Sequence, residues 1–130
     1  MTKPKPAIKP TQLTAPFWDA VRDRRFLLQY DPAADRYQFY PRPLSLYSDP
    51  GETEWREASG AGTLVACSLC HVPAPGFEAE VPYLLGLVAL AEGPRVFAQI
   101  EAAQAPAIGT PMRLTWHGEG ERTVFKFAPA

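Results

Sequence analysis

Large apolar residues recur at helical spacing near the start of the chain, within residues 14–24. Phe17, Trp18 and Val21 lie on one face at this spacing, as on the buried stripe of a short amphipathic helix. Thr14 precedes them and can cap the helix, because a threonine side chain accepts hydrogen bonds from the first free N–H groups. The pattern therefore predicts one short helix, whose aromatic stripe is buried either in the chain's own core or against a partner protein.

From residue 25 onward the pattern changes to short alternating runs, which are typical of strands. Residues 25–30 and 36–40 flank a turn and predict a hairpin, and residues 53–57 predict a further short strand. A β-ribbon of this size has little core of its own. Such units usually require a staple, most often a bound metal.

The stretch from Trp55 to Val72 predicts the first strand of a small barrel. A turn with glycine at positions 60 and 62 leads into small, β-branched or apolar residues over 63–72, which favour a long, strongly curved strand. Two hairpins follow, with predicted strands at 81–90, 95–101, 110–117 and 123–127. Five strands, with the longest connection between the third and fourth, are typical of a Greek-key barrel. We therefore predict a mainly β chain in which a helix and a zinc-ribbon-like hairpin precede a five-stranded OB-fold.

This pattern predicts three parts: a tail over 1–12, the helix and ribbon over 13–57, and the OB-fold over 58–130. The first ten residues contain three lysines and three prolines. Because proline disfavours helix and removes backbone donors, the tail is expected to be a flexible, solvated arm.

Composition narrows the function classes. Hydrophobic residues make up 46% of the 130 residues, enough for a real core, and the formal net charge is −1. A nearly neutral chain offers no overall basic field to nucleic acid. No apolar run approaches 18 residues, so we expect a cytoplasmic protein that does not associate with membranes.

Candidate chemistry is sparse, and we predict no catalytic residue. Cys67, Cys70 and His71 are spaced like metal or thiol ligands, but residues three apart on a strand point to opposite faces, so the two cysteines are expected to pack rather than to react. The remaining histidine, His117, has no partner that the sequence can name. Ser59 lies among glycines without forming a nucleophile elbow, and phosphate-binding fingerprints are missing.

Several motifs, taken in order and with their spacing, carry a family resemblance. They are Phe17-Trp18, Pro41-Arg42, Glu54-Trp55, Ser59-Gly60-Ala61-Gly62-Thr63, the run from Pro82 to Val88, Glu92-Gly93, Ile108-Gly109 with Met112, and Phe127-Ala128-Pro129. From Phe17 onward the chain resembles the DUF35 group, in which a rubredoxin-like zinc ribbon precedes an OB-fold and which is associated with acyl-CoA enzymes.

The chain departs from this family in its ribbon. Two pairs of cysteines usually flank the Pro-Arg motif, and here their places hold Tyr30, Ala33, Ser45 and Ser48. None of these is a competent ligand for a structural tetrahedral zinc. We therefore expect no zinc and no tightly bound cofactor. We expect apolar packing to hold the ribbon, supplied by Tyr30, Tyr37, Phe39, Tyr40, Leu44, Leu46 and Tyr47.

The resemblance implies an accessory role. Members accompany thiolase-like proteins or hydratases of the hot-dog type, so it implies a hetero-oligomer with such a partner, acyl-CoA as a possible ligand, and a chain that is not an enzyme by itself. The predicted partner interface comprises Phe17, Trp18, Val21, Tyr40, Arg42 and Tyr47. The predicted acyl-CoA contacts are Gly60, Gly62, Thr63 and Tyr83, because glycines let backbone N–H groups approach a ligand closely.

Two other classes remain open. OB-folds also bind single-stranded nucleic acid through aromatic residues and a basic groove, but Lys126 is the only lysine after Lys9, and we expect no nucleic-acid partner. A stand-alone enzyme acting on CoA thioesters would need a nucleophile paired with a base. Co-purifying protein, nucleic-acid absorbance or turnover by the isolated chain distinguishes the three.

Overall fold

Local sequence signals produce one helix, a small sheet and a barrel in the computed structural model, which describes residues 4–130. The helix is α1 (Ala15–Arg22) and the small sheet contains β1 (Leu27–Asp31), β2 (Arg36–Gln38) and β3 (Glu54–Glu57). The barrel strands are β4 (Ala61–Cys70), β5 (Tyr83–Leu90), β6 (Arg95–Ile100), β7 (Pro111–His117) and β8 (Val124–Pro129). The first three residues of the predicted tail lie outside the described residues.

Helix α1 begins as its proline predicts but is capped differently. Pro16 occupies the first turn, where a missing N–H costs no hydrogen bond. Thr14 sits at the N-cap position without a side-chain bond to the helix; its hydroxyl instead accepts a hydrogen bond from the Thr11 N–H at 2.9 Å. The predicted side-chain cap is therefore wrong, because the preceding turn uses that hydroxyl.

The ribbon is an antiparallel sheet with the order β2-β1-β3. Gln29 pairs with Gln38 across one edge of β1, and Leu28 pairs with Arg56 across the other. The central strand is buried from Leu28 to Asp31, so polar as well as apolar side chains are enclosed in this small unit.

The barrel is closed, with the order β4-β5-β6-β8-β7. All pairs are antiparallel except β6 with β8, which run parallel where Ile100 meets Phe127. This is the predicted OB-fold. One detail of the prediction is wrong: residues 71–82 between the first two barrel strands form a longer connection than residues 101–110 between the third and fourth.

One continuous core joins helix, ribbon and barrel. The Phe17 ring lies 5.3 Å from that of Phe26, which in turn lies 4.9 Å from that of Phe125 on β8. Edge-to-face contacts at these distances stabilise beyond the burial of apolar area. Further in, Val88 and Phe127 are fully buried, so the helix closes over one end of the barrel core. Within residues 4–130, the single α-helix is too short and too polar to cross a bilayer.

Candidate functional site

A buried carboxylate lies beside the four positions that the family resemblance assigned to zinc-ligand cysteines. Asp31 is 0% exposed. Its Oδ2 atom accepts hydrogen bonds from the hydroxyls of Ser45 and Ser48, each at 2.5 Å, and its Oδ1 atom accepts one from the Ala33 N–H at 2.9 Å. Three of the four cysteine-equivalent positions therefore converge on one side chain. The fourth position, Tyr30, does not contact Asp31 through its side chain, and its hydroxyl donates a hydrogen bond to Asp35.

This arrangement favours the ionised form of Asp31. The hydrogen bonds from Ser45 and Ser48 lower the pKa of Asp31 below its usual value, and the two backbone donors add to them, while burial acts in the opposite direction. Donors that bond to the charged form stabilise it. The site is thus a buried, hydrogen-bonded anion.

Two buried glutamines hold the remainder of the ribbon loop, which we define as residues 40–50. The Gln29 side chain accepts a hydrogen bond from the Arg42 N–H at 2.8 Å and donates one to the Arg42 carbonyl at 2.9 Å. Gln38 donates to Gln29 at 2.8 Å and accepts from the Leu46 N–H at 2.9 Å. Sequence reasoning missed these residues, because glutamine in an alternating strand normally indicates a solvated face.

Within residues 4–130, no group of three or more His, Cys, Asp or Glu side chains is placed to hold a metal ion. Cys67 packs against the barrel core, whereas Cys70, at the end of β4, places its Sγ atom 3.2 Å from the Val72 carbonyl. Both are free thiols. The zinc-free state of the protein remains a prediction.

The structure separates the predicted partner interface into buried and accessible residues. Phe17 and Val21 are 0% and 1% exposed in the chain's own core, so they cannot contact a partner directly, and this part of the prediction needs correction. Trp18 is half-buried and donates its indole N–H to the Tyr40 hydroxyl at 3.0 Å. Tyr40 itself is 41% exposed.

The rest of the predicted interface lies on or beside the ribbon loop. Arg42 is exposed, and Tyr47 is half-buried with the Arg36 guanidinium 3.9 Å from its ring centroid. Leu44 and Leu46, which were expected to fill the ribbon, are instead 60% and 58% exposed. Of the residues expected to fill the ribbon, Tyr30 is buried, and Tyr37 and Phe39 pack against the core. The accessible apolar residues of the loop are thus Tyr40, Leu44 and Leu46.

The four predicted acyl-CoA contacts do not converge. Gly62 pairs with Leu90 and Tyr83 pairs with Cys70, so they lie at opposite ends of the β4–β5 ladder. A Cβ atom on Gly62 would lie 2.7 Å from the Ala89 carbonyl oxygen, which shows that this glycine permits close strand packing.

The other two residues of this set are also parts of the barrel. The Gly60 carbonyl accepts a hydrogen bond from the Leu114 N–H at 2.8 Å. Thr63 is exposed on β4. A single small ligand group therefore cannot contact all four residues.

A cleft that the sequence did not reveal lies on the barrel surface, and we call it the basic cleft. Its volume is about 380 Å³, and residues of the N-terminal segment, Phe77, Gln99 and the β7–β8 hairpin enclose it. Its charged and aromatic lining includes Lys5, Arg122, Lys126, His117, Phe77 and Phe125, together with Glu121. The Arg122 guanidinium donates to the Lys5 carbonyl at 3.1 Å across 117 positions of sequence. No local pattern could have indicated this meeting.

One wall of the basic cleft contains a hydrogen-bonded histidine. His117 Nε2 lies 2.8 Å from a carboxylate oxygen of Glu101, which also accepts a hydrogen bond from the Thr115 hydroxyl. Burial acts to raise the pKa of Glu101, but the bonds from Thr115 and His117 outweigh it and hold the pKa below its usual value. Glu101 therefore fixes the imidazole in the cleft wall.

The chain is similar in sequence to a protein family and to two known proteins. Residues 55–117 match the family described as the ChsH2 C-terminal OB-fold domain. A probable enoyl-CoA hydratase alpha subunit of Thermomonospora curvata is 31% identical over 98% of this chain, which spans 40% of that protein's length. A DUF35 domain-containing scaffold protein of Pyrococcus furiosus is 29% identical, with 82% of this chain and 77% of that protein covered.

A solved structure matches over nearly the whole chain. The structure described as the Ltp2-ChsH2(DUF35) aldolase has a TM-score of 0.79 and 28% identity, and the alignment covers 96% of this chain and 98% of that one. The similarity therefore includes the helix and ribbon as well as the barrel.

Proposed function

The chain belongs to the DUF35 family of OB-fold proteins, and on this basis we propose that it is a non-catalytic subunit of a complex that acts on acyl-CoA thioesters. One observation carries the proposal: the chain matches 98% of a chain in the Ltp2-ChsH2(DUF35) aldolase. The name of that aldolase joins the DUF35 component to a second component, Ltp2. The hydratase relative, of which this chain resembles a part, supports the same substrate class.

In this proposal the partner is a thiolase-like protein, with a hot-dog hydratase as the alternative, and it carries the catalytic groups. The ribbon loop supplies the contact surface. Its exposed Tyr40, Leu44 and Leu46 are large apolar side chains of the kind that marks interaction sites.

The polar network beneath the loop supports this role. Asp31 and Gln29 tie the loop to the central strand of the ribbon through side-chain hydrogen bonds. A surface that is already ordered loses less conformational entropy when it binds. The structure of the ribbon thus favours a rigid docking element.

The function is tested by reconstitution with a purified thiolase-like protein as the candidate partner. The partner alone should be inactive or poorly soluble, and addition of this chain should restore acyl chemistry. The double variant Leu44→Ser/Leu46→Ser should weaken the complex about tenfold or more, as expected for lost interface anchors. The matched control is Phe97→Ser/Ile108→Ser, which changes two equally exposed residues on the barrel. Acyl turnover by this chain without a partner would overturn the proposal.

A further inference from the structure

Strand β6 is paired along its full length on one side only. On that side every residue from Arg95 to Ile100 has a partner on β5. On the other side β8 meets β6 at a single pair, Ile100 with Phe127, and no further strand in residues 4–130 pairs there. Residues 95–99 therefore form an open edge of the barrel sheet, which we call the β6 edge.

The alternation of hydrogen bonds shows which backbone groups of this edge are free. At the β5–β6 turn the Leu90 N–H donates to the Pro94 carbonyl at 2.9 Å. Because every second pair of an antiparallel ladder exchanges hydrogen bonds, the even-numbered residues of β6 bond to β5 and the odd-numbered residues point away from it. The Glu101 N–H agrees with this parity, since it donates to the Phe127 carbonyl on β8 at 2.8 Å. The N–H and C=O groups of Phe97 thus point to the open side.

The β6 edge has none of the features that usually prevent pairing between molecules. Proteins protect exposed edges with lysine, proline or a bulge. Residues 96–99 contain no proline and no charged side chain, and their register with β5 is continuous. The Phe97 side chain, at the middle of the edge, is 66% exposed. An edge of this kind is suited to the addition of another extended strand.

The side chains of the edge are complementary to a second copy of the same strand. In an antiparallel pair with a two-fold axis at Phe97, that residue lies opposite itself and Arg95 lies opposite Gln99 of the second copy. Like charges are therefore not opposed. Arg95 also lies diagonal to Glu101 of the second copy, a separation that a long side chain can span.

Pairing of two copies would also join two apolar rows. Ala66 on β4 lies beside Leu87 on β5, and Leu87 lies beside Phe97 on β6. Ala66 is exposed and Leu87 is half-buried, so this row runs along the outer face of the sheet. Contact between two Phe97 rings would bury the exposed end of each row, and aromatic pairs stabilise beyond the burial of area.

From this geometry we propose that the β6 edge is a self-association surface, at which two copies of the chain pair β6 with β6 as antiparallel strands about a two-fold axis. The two barrels then share one continuous sheet with the order β4-β5-β6-β6-β5-β4. The ribbon loop belongs to the small sheet and is not part of this surface. Self-association is therefore separate from binding of the proposed enzyme partner.

Sedimentation equilibrium of the purified full chain over about 5–500 μM tests the association, because a contact this small is expected to have a micromolar or weaker Kd. The mean mass should rise with concentration from 14.3 kDa towards twice that value. Phe97→Lys should raise the dimer Kd about tenfold or more, because two ammonium groups would then lie opposite each other. Phe97→Pro should also raise it, because proline removes the outward N–H and leaves the hydrogen bonds to β5 in place.

The matched control is Ile108→Lys, which adds the same charge at a residue that is 64% exposed in the connection between β6 and β7. It should leave the dimer Kd unchanged. Thermal melts establish that each variant is folded. A monomer mass at the highest concentration, or equal effects of Phe97→Lys and Ile108→Lys, would overturn the inference.

Amide hydrogen exchange locates the contact. The Phe97 amide should be protected at high protein concentration and exchange freely at low concentration, whereas the Val96 and Ala98 amides should differ little between the two. Exchange at Phe97 that does not depend on concentration would contradict pairing at this edge. Protection of Phe97 only after addition of the thiolase-like protein would assign the edge to that protein and overturn self-association.

Assembly with the thiolase-like protein is measured in parallel. Phe97→Lys and Phe97→Ser/Ile108→Ser should both retain it, because the ribbon loop is unchanged. Failure of the β6 edge to self-associate is thereby distinguishable from failure of the proposed function.

Discussion

The Ser45 hydroxyl donates a hydrogen bond of 2.5 Å to the buried carboxylate of Asp31, 14 positions earlier in the chain. The family resemblance of the sequence predicted that position 45 takes the place of a zinc-ligand cysteine. In the structure, the Ser45 side chain is directed to the buried Asp31 carboxylate. Ser48 does the same at 2.5 Å, and the two bonds close the ribbon loop.

The double variant Ser45→Ala/Ser48→Ala should lower Tm by about 5 °C or more, because it leaves the carboxylate of Asp31 buried with two fewer donors. Thermal melts at pH 7 measure the change. The control is Ser68→Ala, which alters an exposed serine of β4 and should change Tm little. An unchanged melting temperature in the double variant would mean that the two serine hydroxyls do not stabilise the ribbon.

The contribution of Asp31 should depend on pH. Hydrogen bonds from Ser45 and Ser48 lower the pKa of Asp31 in the folded chain, so folding favours its deprotonated form. The associated stability is present above the unfolded pKa of about 3.9 and is lost as pH falls through the lower folded value. The Tm difference between the parent and Ser45→Ala/Ser48→Ala should therefore be full at pH 6 and should shrink below about pH 3.5. A constant difference over this range would argue against an ionised Asp31.

Metal removal should have no effect on folding. We expect elemental analysis of the purified chain to find less than one zinc per chain, and EDTA to leave the thermal melt unchanged. The reason is that Ala33, Ser45 and Ser48 donate hydrogen bonds to the Asp31 carboxylate in this structure. A structural zinc contributes directly to folding. One tightly held zinc per chain would contradict the expectation and direct attention to Cys67 and Cys70.

Substitution of Phe17 should mainly lower folding stability, whereas substitution of Tyr40 should mainly weaken association with the partner. Phe17→Ala removes a fully buried ring from the core that joins helix and barrel, and should cost about 3–5 kcal/mol of folding free energy. Tyr40→Ala removes a side chain that is 41% exposed, and should weaken partner association more than it lowers stability. Denaturant melts and pull-down with the partner measure the two effects. Equal association of Tyr40→Ala and the parent would remove this residue from the interface.

Gly62→Ala should destabilise the barrel by roughly 1–3 kcal/mol. Its added Cβ atom would lie 2.7 Å from the Ala89 carbonyl oxygen, and the paired strands would have to move apart. Thr63→Ala, at the exposed neighbouring position, is the control. Coenzyme A titration of both variants tests the role that sequence reasoning assigned to them. Weaker ligand binding by a stably folded Gly62→Ala would restore this glycine to the binding site.

Much of the fold followed from local patterns. The helical spacing of Phe17 and Val21, and the alternation along β5 and β6, required burial of one face, and only a few architectures achieve this for such short strands. Closure of five strands into a barrel then left little freedom in their order. The family motifs, which are local in sequence, predicted the same architecture. They also predicted which ribbon positions hold other residues in place of cysteines.

Tertiary structure alone decided which side chains met. The sequence determined that Phe17 is buried, but only the packing showed that it is buried by Phe26 and Phe125 within the chain. It determined that the ribbon lacks its cysteines, but not that Asp31 receives hydrogen bonds from 14 and 17 positions away. The basic cleft required residues separated by 117 positions. Periodicity reports which face of an element avoids water, whereas the partner of a polar side chain depends on how distant elements are brought together.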